Sequence, residues 1–280
     1  MNYDFQKPAN NLHELPLSHP GIIDIESFDA HFQLRCYKPS PELEPFVTHI
    51  WVQRQRQPNS KPQKPLIEVL SGPNIYLFFT AQKAFIHGIT RHEFAYDAFT
   101  SEVTAGVKFR PGGFYPFLGK PVSELESNTD ITAVFQAADN IFREGLLRQS
   151  DEAIVSSLET LLLDKQPETN RSLELVTKIV AALDNNTSLR TVGSIAQAFH
   201  MSERSLQLLF QVHVGVGLKW IITRKRLLET VSQVKERSNS SQAEVAAELG
   251  YNSQSHFTRD FKDTTGQLPS HYLKRDRESL

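Results

Sequence analysis

The histidines and acids in the first half of the chain offer little that resembles a metal site. His87, His92 and Glu93 come closest to a cluster of ligands. Their spacing matches neither the His-x-His pair of metal-binding β-barrels nor the i, i+4 histidine pair of a zinc-binding helix, and no second group of ligands accompanies them. The sequence therefore predicts no bound metal and no cofactor.

Groups that could carry catalysis are equally scarce. The chain has no nucleophile–base pair, phosphate-binding loop or paired-acid motif, so we expect a protein that is not an enzyme. Its single cysteine, Cys36, is predicted to be an inert small hydrophobe and not a redox sensor. Arg110 precedes Pro111-Gly112-Gly113, and it either pairs with a carboxylate beside a turn or forms an anion site with adjacent backbone N–H groups.

One structural unit occurs twice towards the C-terminus. The first copy has Ala196, Ser202, Leu206 and Phe210, and the second has Ala246, Ser253, Phe257 and Phe261. A serine ahead of such a run is an N-cap signal, and apolar residues four and eight positions later share one face of a helix. The small alanine allows two helices to cross closely. The pattern predicts two helix-turn-helix units, at about residues 188–213 and 241–264.

The two copies differ in their turns and are joined by a helix. The second turn contains Gly250, which suits a left-handed backbone, whereas the first has His200 in the matching place. Between the copies, the stretch from Leu218 to Lys235 reads as one helix, about 27 Å long. A rod of that length can place two helices in successive major grooves, since one turn of B-DNA measures about 34 Å.

Composition and charge bound the class of protein. The 280 residues, 39% of them hydrophobic, suffice for two domains with cores of their own. No stretch approaches the ~20 apolar residues of a membrane span, no signal peptide is apparent, and one cysteine fits a reducing cytoplasm. The net charge of −2 is uneven, because residues 171–280 carry fifteen basic and eleven acidic side chains. A basic C-terminal part favours contact with phosphates.

The first half of the chain reads as β-rich. After an irregular leader over residues 1–30, strands are predicted at 31–37, 46–53, 66–70, 75–80 and 103–109, separated by turn residues. Helices are predicted at 131–136, 137–148, 151–163 and 171–184. The fold class is therefore α+β, with a barrel-like or sandwich-like domain and trailing helices over 31–165 and an all-α domain over 171–280.

The C-terminal hundred residues resemble the DNA-binding domain of the AraC/XylS family of bacterial transcription regulators. The resemblance runs from SLRTVGSIAQAFHMSERSLQLLF to ELGYNSQSHFTRDFKDTTGQLPSHY, which joins a glycine turn, a serine cap, an F-x-x-x-F pair and a G-x-x-P-x-x-Y ending. It implies sequence-specific binding to double-stranded promoter DNA. The segments YKPSPELEPFVTHIW and GVKFRPGGFYPFLG resemble an uncharacterised β-rich domain that precedes the DNA-binding domain in a subset of the family.

The resemblance also implies which side chains meet DNA. Base-reading positions fall on Arg204, Gln207, Leu208 and Gln211 in the first unit and on Gln254, Ser255, Thr258 and Arg259 in the second. Arginine can bond guanine bidentately and glutamine can do so with adenine. Lys262, Lys219 and Arg224 are expected to anchor phosphates.

Two residues depart from the pattern of the family. Leu208 stands where many members carry a long polar side chain, so the first helix is expected to use more apolar contact with thymine methyl groups. Asp260 stands where a small residue is usual, and an acid beside DNA repels phosphate unless it faces inward or pairs with Arg259 or Lys262. Both put the preferred DNA sequence in question and leave the fold unaffected.

By analogy with the family, the β-rich domain is expected to sense a small effector or to form a homodimer. Trp51, Tyr76, Phe79 and Phe109 are candidate lining residues, with Arg110 beside them, although aromatic strand residues are core by default. The sequence thus predicts a cytoplasmic transcription regulator, an activator that recruits RNA polymerase. Two alternatives stay open: a ligand-binding or interaction protein whose repeat no longer binds DNA, and a constitutive regulator whose N-terminal domain only dimerises.

Overall fold

The computed structural model describes residues 13–15, 25–57, 66–69, 72–90, 94–97, 101–186, 189–236, 244, 246, 253–265 and 268–269. Within these, the side chains of 25–27, 66–69, 94–97, 228–236, 260 and 263–265 lie outside the description. The predicted Gly250 turn, His92 and Glu93 also fall outside the described residues, as does the side chain of Asp260.

The N-terminal half is built on antiparallel strands. They are β1 Glu14–Leu15, β2 Phe32–Tyr37, β3 Val47–Gln55, β4 Leu66–Val69, β5 Tyr76–Phe79, β6 Ala84–His87, β7 Phe94–Asp97, β8 Val103–Phe109 and β9 Thr129–Asp130. Seven form one sheet in the order β1-β2-β3-β8-β5-β6-β9, and β4 pairs with β7. In the centre of the large sheet, Val107 of β8 lies opposite Ile50 of β3 and Leu77 of β5. The prediction of a β-rich domain is confirmed.

Side chains alternate across the large sheet, so its two faces bury different residues. One face, with Ile50, Leu77 and Val107, packs against the trailing helices and forms what we call the main core. The other face carries a second-face cluster of Cys36, Trp51, Phe78 and Phe85. Burial raises the pKa of the Cys36 thiol to about 11, which keeps it protonated and fits the predicted inert role.

The helices follow the strands along the chain. They are α1 Ile25–His31, α2 Tyr115–Leu118, α3 Asn140–Leu146, α4 Asp151–Leu163, α5 Arg171–Asn185, α6 Val192–Ala198, α7 Glu203–His213, α8 Leu218–Glu236 and α9 Gln254–Thr265, with 3-10 turns at Val122–Glu124 and Ile131–Ala133. Among the described helices, none alone combines the length and the apolar composition of a membrane span. Only α7 taken together with Leu218–Leu227 meets that test, and the two are bent by 76°.

Three predictions about local structure are wrong. The leader of residues 1–30 is not irregular throughout, since it contains β1 and most of α1. The helix predicted over 131–136 is a three-residue 3-10 turn, capped by Asp130, whose carboxylate accepts from the backbone N–H of Thr132. The next helix begins at Asn140 and not at Ala137, because Asp139 caps it by accepting from the N–H of Phe142.

A buried carboxylate fastens α4 to the sheet. Asp151, only 5% exposed, accepts hydrogen bonds from the Tyr37 hydroxyl (2.9 Å), Arg54 Nε (2.7 Å) and an Arg35 terminal nitrogen (3.2 Å). Buried carboxylates require such partners, because desolvation of an unpaired charge is costly. The first turn of α4 is therefore held against β2 and β3.

Candidate nucleic-acid interface

The first helix-turn-helix unit has the caps that the sequence predicts. Thr191 and Ser194 form a capping box at the start of α6. His200 has φ 52°, the left-handed conformation predicted for the turn. The Ser202 hydroxyl then accepts from the N–H of Ser205 (3.0 Å) and starts α7. Leu206 and Phe210, four and eight positions on, are fully buried, which confirms the predicted core face.

The second unit repeats these features where it is described. Ser253 caps α9 by accepting from the N–H of His256 (3.2 Å). Phe257 and Phe261 are each 1% exposed, and their ring centroids lie 5.6 Å apart. Ala246, the small residue of the preceding helix, is also buried. The sequence repeat therefore corresponds to a repeat of buried contacts.

The face of α7 opposite its buried residues is open. Arg204, Gln207, Leu208 and Gln211, the four predicted base readers of this helix, are all exposed. Their spacing of three, one and three residues keeps them on one side of the helix. Leu208 is 64% exposed, so its apolar side chain is available to a partner. The arrangement offers two kinds of contact to a major groove, hydrogen bonds and one apolar contact.

The corresponding face of α9 is open as well. Gln254, Ser255, Arg259 and Lys262 are exposed, whereas Thr258 is half-buried. An exposed arginine and glutamine on each of α7 and α9 give both helices groups able to recognise guanine and adenine edges.

The three predicted phosphate anchors do not share one environment. Lys219, at the start of α8, is exposed, as is Lys262. The assignment of Arg224 is wrong, because the side chain is only 2% exposed and its guanidinium lies 5.5 Å from the Trp220 ring centroid. Burial lowers the pKa of Arg224 to about 10. A side chain enclosed in this way packs the domain and does not reach a phosphate.

The connecting helix α8 has the predicted extent. Its 19 residues correspond to about 28 Å, close to the length inferred from sequence. Lys225 Nζ donates to the carbonyl oxygen of Leu183 and to the Asp184 carboxylate, and thereby ties α8 to the end of α5. The rod between the two units is thus fixed to the first helix of the domain.

The predicted effector residues do not line one cavity. Trp51 and Tyr76 belong to the second face of the sheet, whereas Phe79 and Phe109 lie in the main core. Phe109 packs edge-on against Phe114 and Phe117, with centroids 4.9 and 5.3 Å apart. The assignment of Phe109 to an effector site with Trp51 and Tyr76 is therefore wrong. Side chains of a strand alternate between the two faces of the sheet, and the Phe109 side chain lies on the face that packs against the helices.

Arg110 lies elsewhere, at a cleft between the two halves of the chain. Its Nε donates to the carbonyl oxygen of Glu44 (2.7 Å). The cleft measures about 300 Å³ and is lined by Glu44, Pro45, Arg110, Thr169, Leu173, Glu174, Thr177 and Lys178. Sequence analysis did not predict the contacts that the neighbouring segment RPGGFYP makes.

This segment packs against the first helix-turn-helix unit, and its closely spaced prolines and glycines were the sequence feature that could have indicated such a contact.

Comparisons with known proteins agree with this geometry. A family model described as a helix-turn-helix domain matches residues 195–275, and one described as a domain of unknown function (DUF6597) matches residues 35–130. An uncharacterised helix-turn-helix transcriptional regulator of Haemophilus influenzae is 30% identical over 163 residues, 57% of this chain and 52% of that protein. The XylDLEGF operon transcriptional activator 1 of Pseudomonas putida is 30% identical over 167 residues, 58% and 47% respectively.

The chain spans about half the length of the curated relatives it matches. Among solved structures, ToxT from Vibrio cholerae aligns with a TM-score of 0.37 and 18% identity, over 88% of this chain and 98% of that one. The unsaturated fatty acid bound form of ToxT aligns with a TM-score of 0.34 and 12% identity, over 96% of each chain. These values describe a distant likeness.

Repeated caps, buried apolar pairs and exposed polar faces give the C-terminal part the construction of a helix-turn-helix domain with two units. A match to a domain of unknown function lies ahead of it in the chain, over residues 35–130.

Proposed function

We propose that this protein is a sequence-specific transcription regulator that inserts α7 and α9 into successive major grooves of promoter DNA. The observation that carries the proposal is the pair of helices with the same construction. Each begins at a serine cap, buries an apolar pair four and eight residues later, and exposes a polar face. A helix of about 28 Å joins the two units, close to the ~34 Å period of B-DNA.

Each exposed face has a defined role in this proposal. Arg204 and Arg259 bond guanine edges, and Gln207, Gln211 and Gln254 bond adenine edges. Ser255 and Thr258 complete the second face, while Leu208 contacts a thymine methyl group. Lys219 and Lys262 bind phosphates and set the register of the protein on the duplex. Asp260 lies outside the described side chains, and its predicted pairing with Arg259 or Lys262 stays a prediction.

The proposal places the protein in the cytoplasm, bound to promoters and acting on RNA polymerase. One relative bears the name of an operon transcriptional activator, which favours activation over repression. A homodimer formed through the β-rich domain is the expected assembly. Two copies then present four recognition helices, and the operator contains two copies of the asymmetric site.

Selection of bound fragments from random duplex DNA tests the proposal. The full-length protein is incubated with the library at two salt concentrations, and bound fragments are sequenced. We expect an asymmetric motif with two parts about one helical turn apart, and affinity that falls steeply with salt as bound counterions are released.

The same experiment separates the alternatives. Absence of enrichment at both salt concentrations favours a ligand-binding or interaction protein whose repeat no longer binds DNA. Enrichment without salt dependence also contradicts the proposal, because phosphate contacts release counterions.

We further propose that a small effector binds the second face of the sheet and adjusts DNA binding. Support comes from the aromatic side chains there: Trp51 and Phe78 have ring centroids 5.2 Å apart, and Phe78 stacks on Phe85 at 5.1 Å. The Thr104 hydroxyl is buried on the strand opposite Gln53 and has no hydrogen-bond partner among the described residues. A buried aromatic cluster beside a polar group that lacks a partner suits an organic molecule that enters the cluster and carries a hydrogen-bonding atom.

A thermal-shift screen of small organic compounds tests the effector. Compounds that raise the melting temperature are re-tested on Thr104→Val, which removes the hydroxyl at nearly constant volume. We expect the shift to shrink in Thr104→Val and the same compound to change affinity for the selected DNA. If no compound in the screen changes the melting temperature or the affinity for DNA, the result favours a constitutive regulator whose N-terminal domain only dimerises.

A further inference from the structure

The β-rich domain and the first recognition helix share a ring contact. Tyr115, the first residue of α2, lies against His213, the last residue of α7, with ring centroids 4.3 Å apart and planes tilted by 38°. His213 is fixed on its own helix, since its Nδ1 donates to the carbonyl oxygen of Leu209 (3.1 Å). The last turn of α7 is therefore packed on the other domain.

A second contact joins the 3-10 turn that follows α2 to the glycine two residues after His213. Val122, in the 3-10 turn after α2, is 4% exposed and sits against the backbone of Gly215. A Cβ added at Gly215 would come within 3.0 Å of Val122 Cγ1, and φ at this glycine is +96°. The turn between α7 and α8 accordingly has no space for a larger residue beside Val122.

The same segment of the β-rich domain also contacts α5. A Cβ at Gly112 would lie 3.1 Å from Val176 Cγ1 and 3.5 Å from Leu173 Cδ1. Leu173 belongs to the main core of the β-rich domain, whereas Val176, three residues later, belongs to the core of the first helix-turn-helix unit. One helix thus joins two hydrophobic cores. We call these contacts, made by Gly112, Tyr115 and Val122 with α5, His213 and Gly215, the seam.

The seam leaves the DNA-reading face of α7 uncovered. The seam involves the last turn of α7 and the residues after it, whereas Arg204, Gln207, Leu208 and Gln211 occupy the earlier turns and are exposed. A contact that blocked DNA would bury some of these side chains. The docked arrangement is therefore compatible with insertion of α7 into a groove, and it fixes the direction in which the helix points.

We infer that Tyr115 and Val122 are positioning residues, which orient the first recognition helix for its half of the DNA site while the second helix is oriented independently of them. The inference rests on the proposed function. Its physical basis is asymmetry: among the described residues, the contacts of the seam reach α5, α7 and the α7–α8 turn, and none of them involves α9. Changes in the β-rich domain then act on one half of the DNA site.

Half-site variants of the selected DNA test the inference with the full-length chain. The half of the site that α7 reads is identified with Arg204→Ala: it is the half whose scrambling no longer weakens the affinity of this variant. Dissociation constants are then measured for the intact site and for duplexes with either half scrambled, using wild type, Tyr115→Ala, Tyr115→Phe and Val122→Ala. Ile141→Ala, an exposed apolar truncation in α3, serves as the matched control.

In Tyr115→Ala and Val122→Ala, we expect the penalty for scrambling the α7 half to fall at least tenfold. The penalty at the α9 half should keep its wild-type value. Tyr115→Phe retains the ring and should behave as wild type, as should Ile141→Ala. Equal weakening at both halves, or wild-type penalties in both alanine variants, overturns the inference.

Hydrogen exchange of the free protein supplies a readout that does not depend on DNA. Tyr115→Ala and Val122→Ala should speed exchange of the backbone amides in the last turn of α7, and leave those of α9 unchanged. Unchanged exchange in α7 overturns the inference even if DNA binds. If the wild-type protein binds no DNA, the proposed function is refuted. If exchange in α7 is nevertheless faster in the variants, the seam still supports this helix.

Discussion

The guanidinium carbon of Arg224 lies 5.5 Å from the centroid of the Trp220 ring, within a side-chain environment that leaves Arg224 only 2% exposed. Arg224 is one of the residues that sequence analysis assigned to phosphate contact, and its burial makes it unavailable to DNA. Lys219, five residues earlier on the same helix, is exposed. The two side chains are therefore expected to differ in role: Arg224 packs within the domain, and Lys219 is available to a phosphate.

Lys219→Ala and Arg224→Ala should therefore affect DNA binding differently. Loss of Lys219 is expected to reduce the slope of log affinity against log salt by about 1, since one phosphate contact disappears. Loss of Arg224 should leave that slope unchanged and lower the melting temperature, because it removes buried packing. Fluorescence anisotropy at four salt concentrations, with melting curves alongside, checks both. A reduced slope in a folded Arg224→Ala protein would restore Arg224 to the interface.

Arg259→Ala should weaken binding to the cognate site by about 1–3 kcal/mol and leave stability unchanged. The side chain is exposed on α9, so its removal costs no packing, and the loss should be largest for DNA with guanine at the contacted position. Arg148→Ala, an exposed arginine after α3, is the matched control for charge. Equal affinities of Arg259→Ala and wild type for the cognate site would remove Arg259 from the recognition face.

Phe261→Ala should destabilise the second helix-turn-helix unit by about 3–5 kcal/mol. The ring is 1% exposed and packs on Phe257, so truncation leaves a cavity between α9 and its neighbours. Thermal unfolding followed by circular dichroism measures the loss, with the exposed neighbour Lys262→Ala as the control. A melting curve that Phe261→Ala does not change would mean that the buried face of α9 is misassigned.

The elements predicted well are those whose signals are local. Asp151–Leu163 and the helices after Ser202 and Ser253 have both an apolar period and a capping residue, and all three form as predicted. The strands β1, β6, β7 and β9, of two or four residues each, were missed because so short a run displays little alternation, whereas β4 and β5, also four residues long, were predicted as parts of longer apolar runs. Their pairing is set by neighbouring strands, which the local sequence does not encode.

The errors at the candidate sites have a similar origin. Arg224 lies three residues after Ile221 and four before Leu228, on the apolar face of α8. The helical spacing therefore indicated a buried side chain, whereas the positive charge suggested an exposed one. Phe109 and Trp51 are both aromatic strand residues, and only the pairing of β3 with β8 determines that they point to opposite faces. The seam depends on contacts between residues 61 to 98 positions apart in sequence, for which a single chain gives no local signal.

Asp151→Asn should lower the free energy of unfolding by about 2–3 kcal/mol. The substitution keeps the shape of the side chain but removes the charge that Arg35 and Arg54 face, and hydrogen bonds to charged groups are worth about 1.5–3 kcal/mol. Urea unfolding measures the effect, with Glu152→Gln as the matched control, since the neighbouring Glu152 is exposed. If both variants have the wild-type midpoint, the Asp151 contacts do not hold α4 to the sheet.

The stability of the protein should fall between pH 7 and pH 5, in part because of His49. Burial, followed by the positive charge of Lys108 on the paired strand, lowers the pKa of His49 to about 4. Its usual value is about 6.5, so between these limits the unfolded chain binds a proton that the folded protein does not. The contribution is complete above pH 6.5 and is lost as the pH falls towards 4; at pH 5 the loss is at most about 2 kcal/mol. Urea unfolding at pH 7 and pH 5 should show a smaller pH-dependent loss in His49→Gln than in wild type, while His13→Gln, at an exposed site, should keep the wild-type loss. Identical losses in His49→Gln and wild type would mean that His49 accepts its proton equally well in the folded protein.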